Sequence, residues 1–425
     1  MDPAMPRTPR HQLRKRYFPA LEQRNFRLFW LGQCVSVIGT WMQNVGQDWL
    51  VLELTGSAAK LSVVSAVQFV PMMFLALFAG PFVDRFPKRR TLILTQSALA
   101  LLALALAVIT ATHIVQYWMI LVLAFLLGMV QLIDNPTRQA YVIELAGRES
   151  LMNAVSLNSA AFNLARILGP AVAGILIELI GIAPCFFLNS LSFVAVIAAL
   201  FAVNTPPVVS DRPVESARDV VTSVWEGLTY IGKRREIALP LVLMAVISLF
   251  VINYSVVVPT FAKIDLGRSA AGYGFLMTAM GVGSLAAALA LAVRSGKGPN
   301  PIRLFGGAAG CGAALLLCGL QRNYALSCVL LAITGFCTIS FSASTNATIQ
   351  LASDNEHRGR VMSVYSLVFG GVTPIGSLYA GAISEAVSPA FCMILSGGIG
   401  VLAAVAAIIF EKCAQRAALG PGRVA

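Results

Sequence analysis

The sequence predicts an all-α membrane protein, with twelve transmembrane helices in two parallel six-helix bundles. Three observations predict it. Of 425 residues, 57% are hydrophobic and only 12% charged, at a mean hydropathy of +0.78, whereas about a quarter of a soluble domain is charged. Apolar runs fall at 26–53, 60–83, 91–111, 115–138, 151–179, 182–203, 238–262, 270–293, 302–321, 324–351, 361–385 and 388–411, each near the roughly 20 residues that a helix needs to cross a bilayer core. The chain also repeats at half its length, as expected of a bundle built from two parallel halves. Gly56-Ser57-Ala58-Ala59 is echoed by Arg268-Ser269-Ala270-Ala271, Asn135-Pro-Thr-Arg-Gln139 by Asn346-Ala-Thr-Ile-Gln350, and Met152-Asn-Ala-Val-Ser-Leu157 by Met362-Ser-Val-Tyr-Ser-Leu367.

Taken in order, residues 1–25 are basic and polar, with no early apolar core or small-residue cleavage site, so a cytosolic N-terminus without a signal peptide is expected. The first bundle occupies 26–203. Residues 204–237 form a cytosolic linker opened by Pro206, Pro207 and Pro213. Within it Ala217, Val220, Val221, Val224, Trp225, Leu228 and Ile231 recur at helical spacing. That pattern suits a helix lying in the membrane surface, either as a strut or as a site for a regulatory partner. The second bundle covers 238–411 and a cytosolic tail 412–425. This alternation puts twenty-six of the 31 Lys and Arg on the side of the termini, four (Lys60, Lys263, Arg268 and Arg322) on the other, and Arg166 inside a span. Cations near span ends are retained in the cytoplasm, so both termini are expected there, in a plasma membrane of the bacterial inner-membrane kind.

The composition also excludes function classes. A net charge of +12 would suggest nucleic acid in a soluble domain, but here it sits in short loops and no nucleic-acid partner is expected. The eight cysteines lie in or beside apolar runs with no C-x-x-C pair, and His11, His113 and His357 are far apart, so neither a metal site nor a cofactor is indicated. No G-x-x-x-x-G-K-[ST] loop for ATP occurs. Paired catalytic carboxylates and a nucleophile with a His partner are also missing, so an enzyme is not expected; a membrane enzyme or receptor is the distant alternative.

In hydrocarbon an unpaired polar group costs several kcal/mol, so polar residues at spacing 3 and 4 mark a helix face turned away from lipid. Span 1 carries Gln33, Ser36, Thr40, Gln43, Asn44, Gln47 and Asp48; span 5 carries Ser156, Ser159, Asn163 and Arg166; span 10 carries Thr334, Thr338, Ser342 and Thr345; and span 11 carries Ser363, Ser366, Thr373 and Ser377. Converging stripes predict a central substrate cavity, with Gln33, Ser36, Thr40, Gln43, Asn44, Asn163, Arg166, Thr338, Ser342, Ser366 and Thr373 as candidates. The alternative for some of these groups is helix-to-helix glue.

A charge at the bilayer centre costs at least roughly 2.5–3.5 kcal/mol, so those inside spans are functional candidates. Asp48, on the polar stripe of span 1, is the first candidate for taking up and releasing a proton; a fixed ion pair or an exposed mouth residue is the alternative. Asp134 and Arg166 complete the proton-coupling set, although Asp134 also has a partner in reach at Arg138, four residues on.

Between spans 2 and 3 lies Gly80-Pro-Phe-Val-Asp84-Arg85-Phe-Pro-Lys88-Arg89-Arg90. Its pattern G-x-x-x-D-R-x-x-K-R-R resembles the signature loop of the major facilitator superfamily, with Pro87 where the family has Gly and Lys88 where it has Arg. The resemblance implies a conformational-switch role for Gly80, Asp84, Arg85, Lys88, Arg89 and Arg90; a loop that only fixes topology is the alternative. Gly169-Pro170 with Gly174 resembles the span-5 motif of the superfamily's proton-coupled drug antiporters. Asn25-Phe-Arg-Leu-Phe29, Ile38-Gly-Thr-Trp-Met-Gln43, Leu54-Thr-Gly-Ser57, Arg138-Gln-Ala140 and Asn163-Leu-Ala-Arg166-Ile-Leu-Gly-Pro170 resemble the subgroup of the enterobactin exporter and macrolide efflux proteins. The expectation is a monomeric secondary transporter in the lipid bilayer that exports a small, partly apolar molecule of drug, macrolide or siderophore type. It would work by alternating access in exchange for protons. Uptake or facilitated passage of a small nutrient is the alternative.

Overall fold

The computed structural model describes residues 18–204, 217–293 and 300–419. Among them the elements are helical throughout: α1 Arg24–Thr55, α2 Ala58–Asp84, α3 Lys88–Ala111, α4 Tyr117–Gly147, α5 Glu149–Ile180 and α6 Ala183–Ala202 in the first half. The linker helix α7 spans Ala217–Lys233. The second half holds α8 Arg235–Asp265, α9 Ala270–Val293, α10 Pro301–Leu320, α11 Tyr324–Ala352, α12 Arg358–Ala386 and α13 Pro389–Leu419. Eleven of these helices are long and apolar enough to cross a membrane. The remaining long rod, α1, has 32 residues, about 48 Å at 1.5 Å per residue. It is kept out of that count by composition, since Gln33, Gln43, Asn44, Gln47 and Asp48 dilute its apolar character. Large apolar side chains such as Leu94, Leu101, Leu179 and Leu402 stay about 70% exposed along the rods, which in a monomer marks a surface meant for lipid.

The two halves use the same pairings. In the first, α3 packs on α4 and α6, α2 on α4, and α1 on α5 and α6; in the second, α10 packs on α11 and α13, α9 on α11, and α8 on α13. The halves meet where α2 lies against α12 and α5 against α9, contacts that interchange when the halves are exchanged. This is the structural form of the sequence repeat.

Three local departures from uninterrupted spans have identifiable causes. The expected loop between spans 4 and 5 is absent, because α4 runs on to Gly147, whose φ of 69° turns the chain in one residue. A side chain there would be strained. Gln23 Nε2 donates to the Ala146 carbonyl at 2.6 Å and caps the corner. Helix α8 is broken by π-helical turns at Ile247–Val251 and Phe261–Asp265. Between them Asn253 leaves helical geometry and bonds back to the Leu249 carbonyl at 2.8 Å, and Pro259 withholds an amide from the next turn. Helix α12 is interrupted at Val372, after which Pro374 opens the second segment.

Two features set up the ends of the bundle. We call proximal the end where the described chain begins and the linker lies, and distal the opposite one. Proximally, the loop after α2 is anchored within its own half: Lys88 pairs with Glu144 at 3.0 Å, and Arg89 donates to the Leu200 and Phe201 carbonyls at 2.7 and 3.2 Å. A cation on the last carbonyls of a helix is favourable. Arg85 and Arg90 are exposed, while the surroundings of Gly80 and the side chain of Asp84 lie outside the described set. Helix α7 is fastened to the second half, where Asp354 accepts from Tyr230 at 3.0 Å and Arg234 at 2.6 Å. Tyr230 stacks on His357 at 4.3 Å, and Glu226 pairs with Arg360 at 3.2 Å.

Candidate functional site

Helix α1 presents Gln33, Val37, Thr40, Trp41 and Asn44 at spacings of three and four, and α4 answers with Gln131, Asn135, Arg138, Gln139 and Val142 in the same register. Helix α5 closes the third side with Asn158, Ser159, Phe162 and Asn163, and Leu99 and Phe193 floor the space. The result is a cavity of about 540 Å³, in the range of small-molecule sites. Its walls are rich in carboxamides and aromatic rings. Trp41 and Phe162 meet edge to face at 5.8 Å.

Of the residues expected in a cavity, Gln33, Thr40, Asn44 and Asn163 line this one. Ser36 is buried, its carbonyl taken by Thr40 Oγ1 at 2.9 Å. Gln43 turns to α6, where it accepts from Asn189 Nδ2 at 2.6 Å, so it joins helices within the half. Thr338 lies inside the second half, bonded to the Tyr254 hydroxyl at 2.9 Å and the Cys311 thiol at 3.1 Å. Ser342 keeps a buried hydroxyl without a hydrogen-bond partner, Thr373 is half-buried and Ser366 exposed. These four stand outside the cavity, whose described lining comes entirely from the first half.

Sequence reasoning missed the α4 wall and the rings of Trp41 and Phe162. A signal existed: positions 131, 135, 138, 139 and 142 follow one helical face. Arg138 had been counted with the cations on the side of the termini.

The three charged candidates occupy different surroundings. Asp134 is wholly buried; Thr95 Oγ1 and Gln96 Nε2 donate to its Oδ1 at 2.7 and 2.8 Å, and Arg138 pairs with its Oδ2. Three donors from α3 and α4 thereby converge on one carboxylate, which a buried charge requires. Arg166 is not among the lining residues; it lies over the Trp41 ring at 5.4 Å and reaches across to Ser284 Oγ on α9 at 3.4 Å. No carboxylate pairs with it among the described ion pairs. Asp48, one turn beyond Asn44, accepts the Tyr273 hydroxyl of α9 at 2.9 Å.

That last bond belongs to a distal clasp between the halves. The Trp49 ring stacks on Tyr273 at 6.3 Å. Lys263 lies over Trp49 at 5.3 Å and donates to the Leu52 carbonyl at 2.8 Å. Glu385 accepts from Ser57 Oγ and the Ala59 amide at 3.0 and 3.2 Å, and Ser269 donates to Glu178 at 3.0 Å. Deeper in, Gly174 admits α9 so closely that a Cβ there would stand 2.9 Å from Ala271 Cα. The hydrogen bonds joining the halves, among the described residues, all lie between this end and mid-depth.

Known proteins share this architecture and sequence. A family model described as transmembrane secretion effector matches residues 16–419. The staphyloferrin A transporter of Staphylococcus aureus is 25% identical over 83% of this chain and 87% of its own length. The multidrug efflux pump Tap of Mycolicibacterium fortuitum is 27% identical, over 80% and 85%, and macrolide efflux protein A of Streptococcus pyogenes 21%, over 89% and 94%. Among solved structures, a POT family transporter in complex with 5-aminolevulinic acid superposes with a TM-score of 0.71 at 11% identity, covering 91% of this chain and 96% of that one. The nucleoside transporter NupG gives 0.71 at 12% identity, over 92% and 99%; at such identities the likeness is one of fold. The half-length repeat, the paired bundles and a match running from before the first helix to the end of the last converge on one conclusion: this chain belongs to the transmembrane secretion effector family of the major facilitator superfamily.

Proposed function

We propose that this protein is a proton-driven exporter of a small, partly apolar molecule, working as a monomer by alternating access. The observation that carries the reading is the placement of the cavity. It is lined by residues 33–193 of the first half and lies proximal to a clasped distal end, as a site open to one side of the membrane would. The proximal end carries most of the cations and is assigned to the cytosol, so the conformation described is the one that loads cargo from within, in a bacterial inner membrane with both termini inside. Relatives named for efflux of drugs and macrolides support export.

Proton coupling is assigned to Asp48. Of the two carboxylates expected inside spans, Asp48 and Asp134, it is the one whose partner, Tyr273, lies in the other half, so its charge state bears on whether the halves stay joined distally. Asp134 is held by three donors within its own half and serves as the brace of Arg138. Arg166 supports the wall at Trp41. The switch loop acts through Lys88 and Arg89, which tie it to α4 and α6 so that the first half tilts as a unit.

The test is transport in everted membrane vesicles, where the cytosolic face is outside. Accumulation of a small fluorescent dye that rises with an inside-acid gradient and collapses with an uncoupler is the expected result. Accumulation indifferent to the gradient would remove the proton, and movement only in the opposite direction would remove export.

A further inference from the structure

We infer that the cavity selects anionic, oxygen-rich molecules and disfavours organic cations, the cargo's carboxylate being received by Arg138. The inference rests on the reading of this cavity as the cargo site and adds the chemical class that it admits.

The charge inventory carries the argument. Arg138 is the only charged side chain in the described lining. Its neutralising partner does not share that wall: Asp134 is wholly buried behind it and saturated by Thr95, Gln96 and Arg138. The guanidinium, 23% exposed, is therefore presented to the cavity while its counter-charge faces the protein. Asp134 takes one nitrogen, Nη2, and the Nε is buried, which leaves Nη1, with no hydrogen bond described, as the donor for a ligand. A charged donor to spare matches a carboxylate better than any neutral group does.

A second guanidinium, Arg166, lies over the Trp41 ring at 5.4 Å with no carboxylate paired to it among the described ion pairs. It adds positive potential next to the aromatic wall. Asp48 stands one turn further distally, but its carboxylate is directed to Tyr273. The carboxamides of Asn44, Gln131, Asn135, Gln139 and Asn163 offer donors to ester, hydroxyl or ether oxygens along the rest of the wall, while Trp41 and Phe162 receive an apolar portion. Among the described lining residues there is no carboxylate to neutralise an ammonium.

The experiment uses two xanthene dyes of similar size, anionic fluorescein and cationic rhodamine 6G, titrated into the full-length protein in phosphatidylcholine nanodiscs and followed by anisotropy. Fluorescein is expected to bind at least about tenfold more tightly, the weight of one charge-assisted hydrogen bond. Because Arg138→Gln alone would strand the buried Asp134, the informative variant is the double Asp134→Asn/Arg138→Gln, which should weaken fluorescein about tenfold and leave rhodamine 6G unchanged. Gln139→Glu, on an exposed part of the wall, should narrow the preference in the same direction without touching the buried network. Equal or tighter binding of rhodamine 6G, no binding of either dye, or fluorescein affinity unmoved in both variants would overturn the inference. No gradient is involved, so the two readings fail separately. Charge-selective binding without vesicle transport counts against export alone, and transport without charge preference counts against this inference alone.

Discussion

Tyr273→Phe removes one oxygen from the distal clasp and nothing else. The ring of Tyr273 is 1% exposed and keeps its stack on Trp49, so packing is preserved while Asp48 loses the donor 2.9 Å from its Oδ2. A hydrogen bond to a charged group contributes about 1.5–3 kcal/mol. If that bond is present only while the distal end is closed, its loss shifts the balance between the two conformations by one to two powers of ten. Spin labels at Lys60 and Val387, both exposed at the distal end on opposite halves, in a chain whose eight cysteines have been replaced, would report the change as growth of a longer interlabel distance. Asp48→Asn keeps an acceptor but not the charge, and should produce a smaller shift in the same direction. A distance distribution identical in the parent and in Tyr273→Phe would refute the assignment of this bond to the gate.

Other perturbations test other parts of the molecule. Asp48→Asn should abolish the stimulation of vesicle transport by a pH gradient while leaving downhill movement of cargo; undiminished stimulation would exclude Asp48 as the coupling group. Asp134→Ala leaves Arg138, Thr95 and Gln96 without their common acceptor and should cost about 3–5 kcal/mol, read as a lower unfolding temperature in detergent; the double Asp134→Asn/Arg138→Gln variant should recover most of it. Gly174→Val places a side chain against the backbone of Ala270 and Ala271, so it should hold α5 and α9 apart, favour the distally open state in the same spin-label measurement and slow transport. An unchanged distance there would mean that the crossing of α5 and α9 does not control closure.

The fold was legible because its signals are long. Runs of some twenty apolar residues, a charge bias at their ends and a repeat at half length each average over many positions, and the helices fall where those runs do. The first-half polar stripes were legible for the same reason: Gln33, Thr40, Asn44 and Asn163 stand on faces that periodicity reveals. What escaped depends on pairs remote in sequence. Nothing near Asp48 announces Tyr273, 225 positions later. Nothing near Gln43 says that Asn189 takes its amide oxygen, which turns a cavity candidate into a joint between α1 and α6. Arg138 was counted with the cations on the side of the termini and as a partner for Asp134, and only the burial of Asp134 one turn earlier shows that it is drawn inward to a cavity wall. The breaks in α8 and α12 follow from Asn253 and from the proline-led restart at Pro374, small local choices that hydropathy over twenty residues smooths away.

The walls of the cavity come from residues 33–193, all ahead of the linker. If this cavity is the cargo site, as proposed, recognition and motion are divided between the halves: one carries the chemistry that chooses a molecule, the other supplies the surface it is sealed against. A hybrid in which the helices after the linker came from a distant cousin would keep this chain's taste in cargo while acquiring the cousin's tempo.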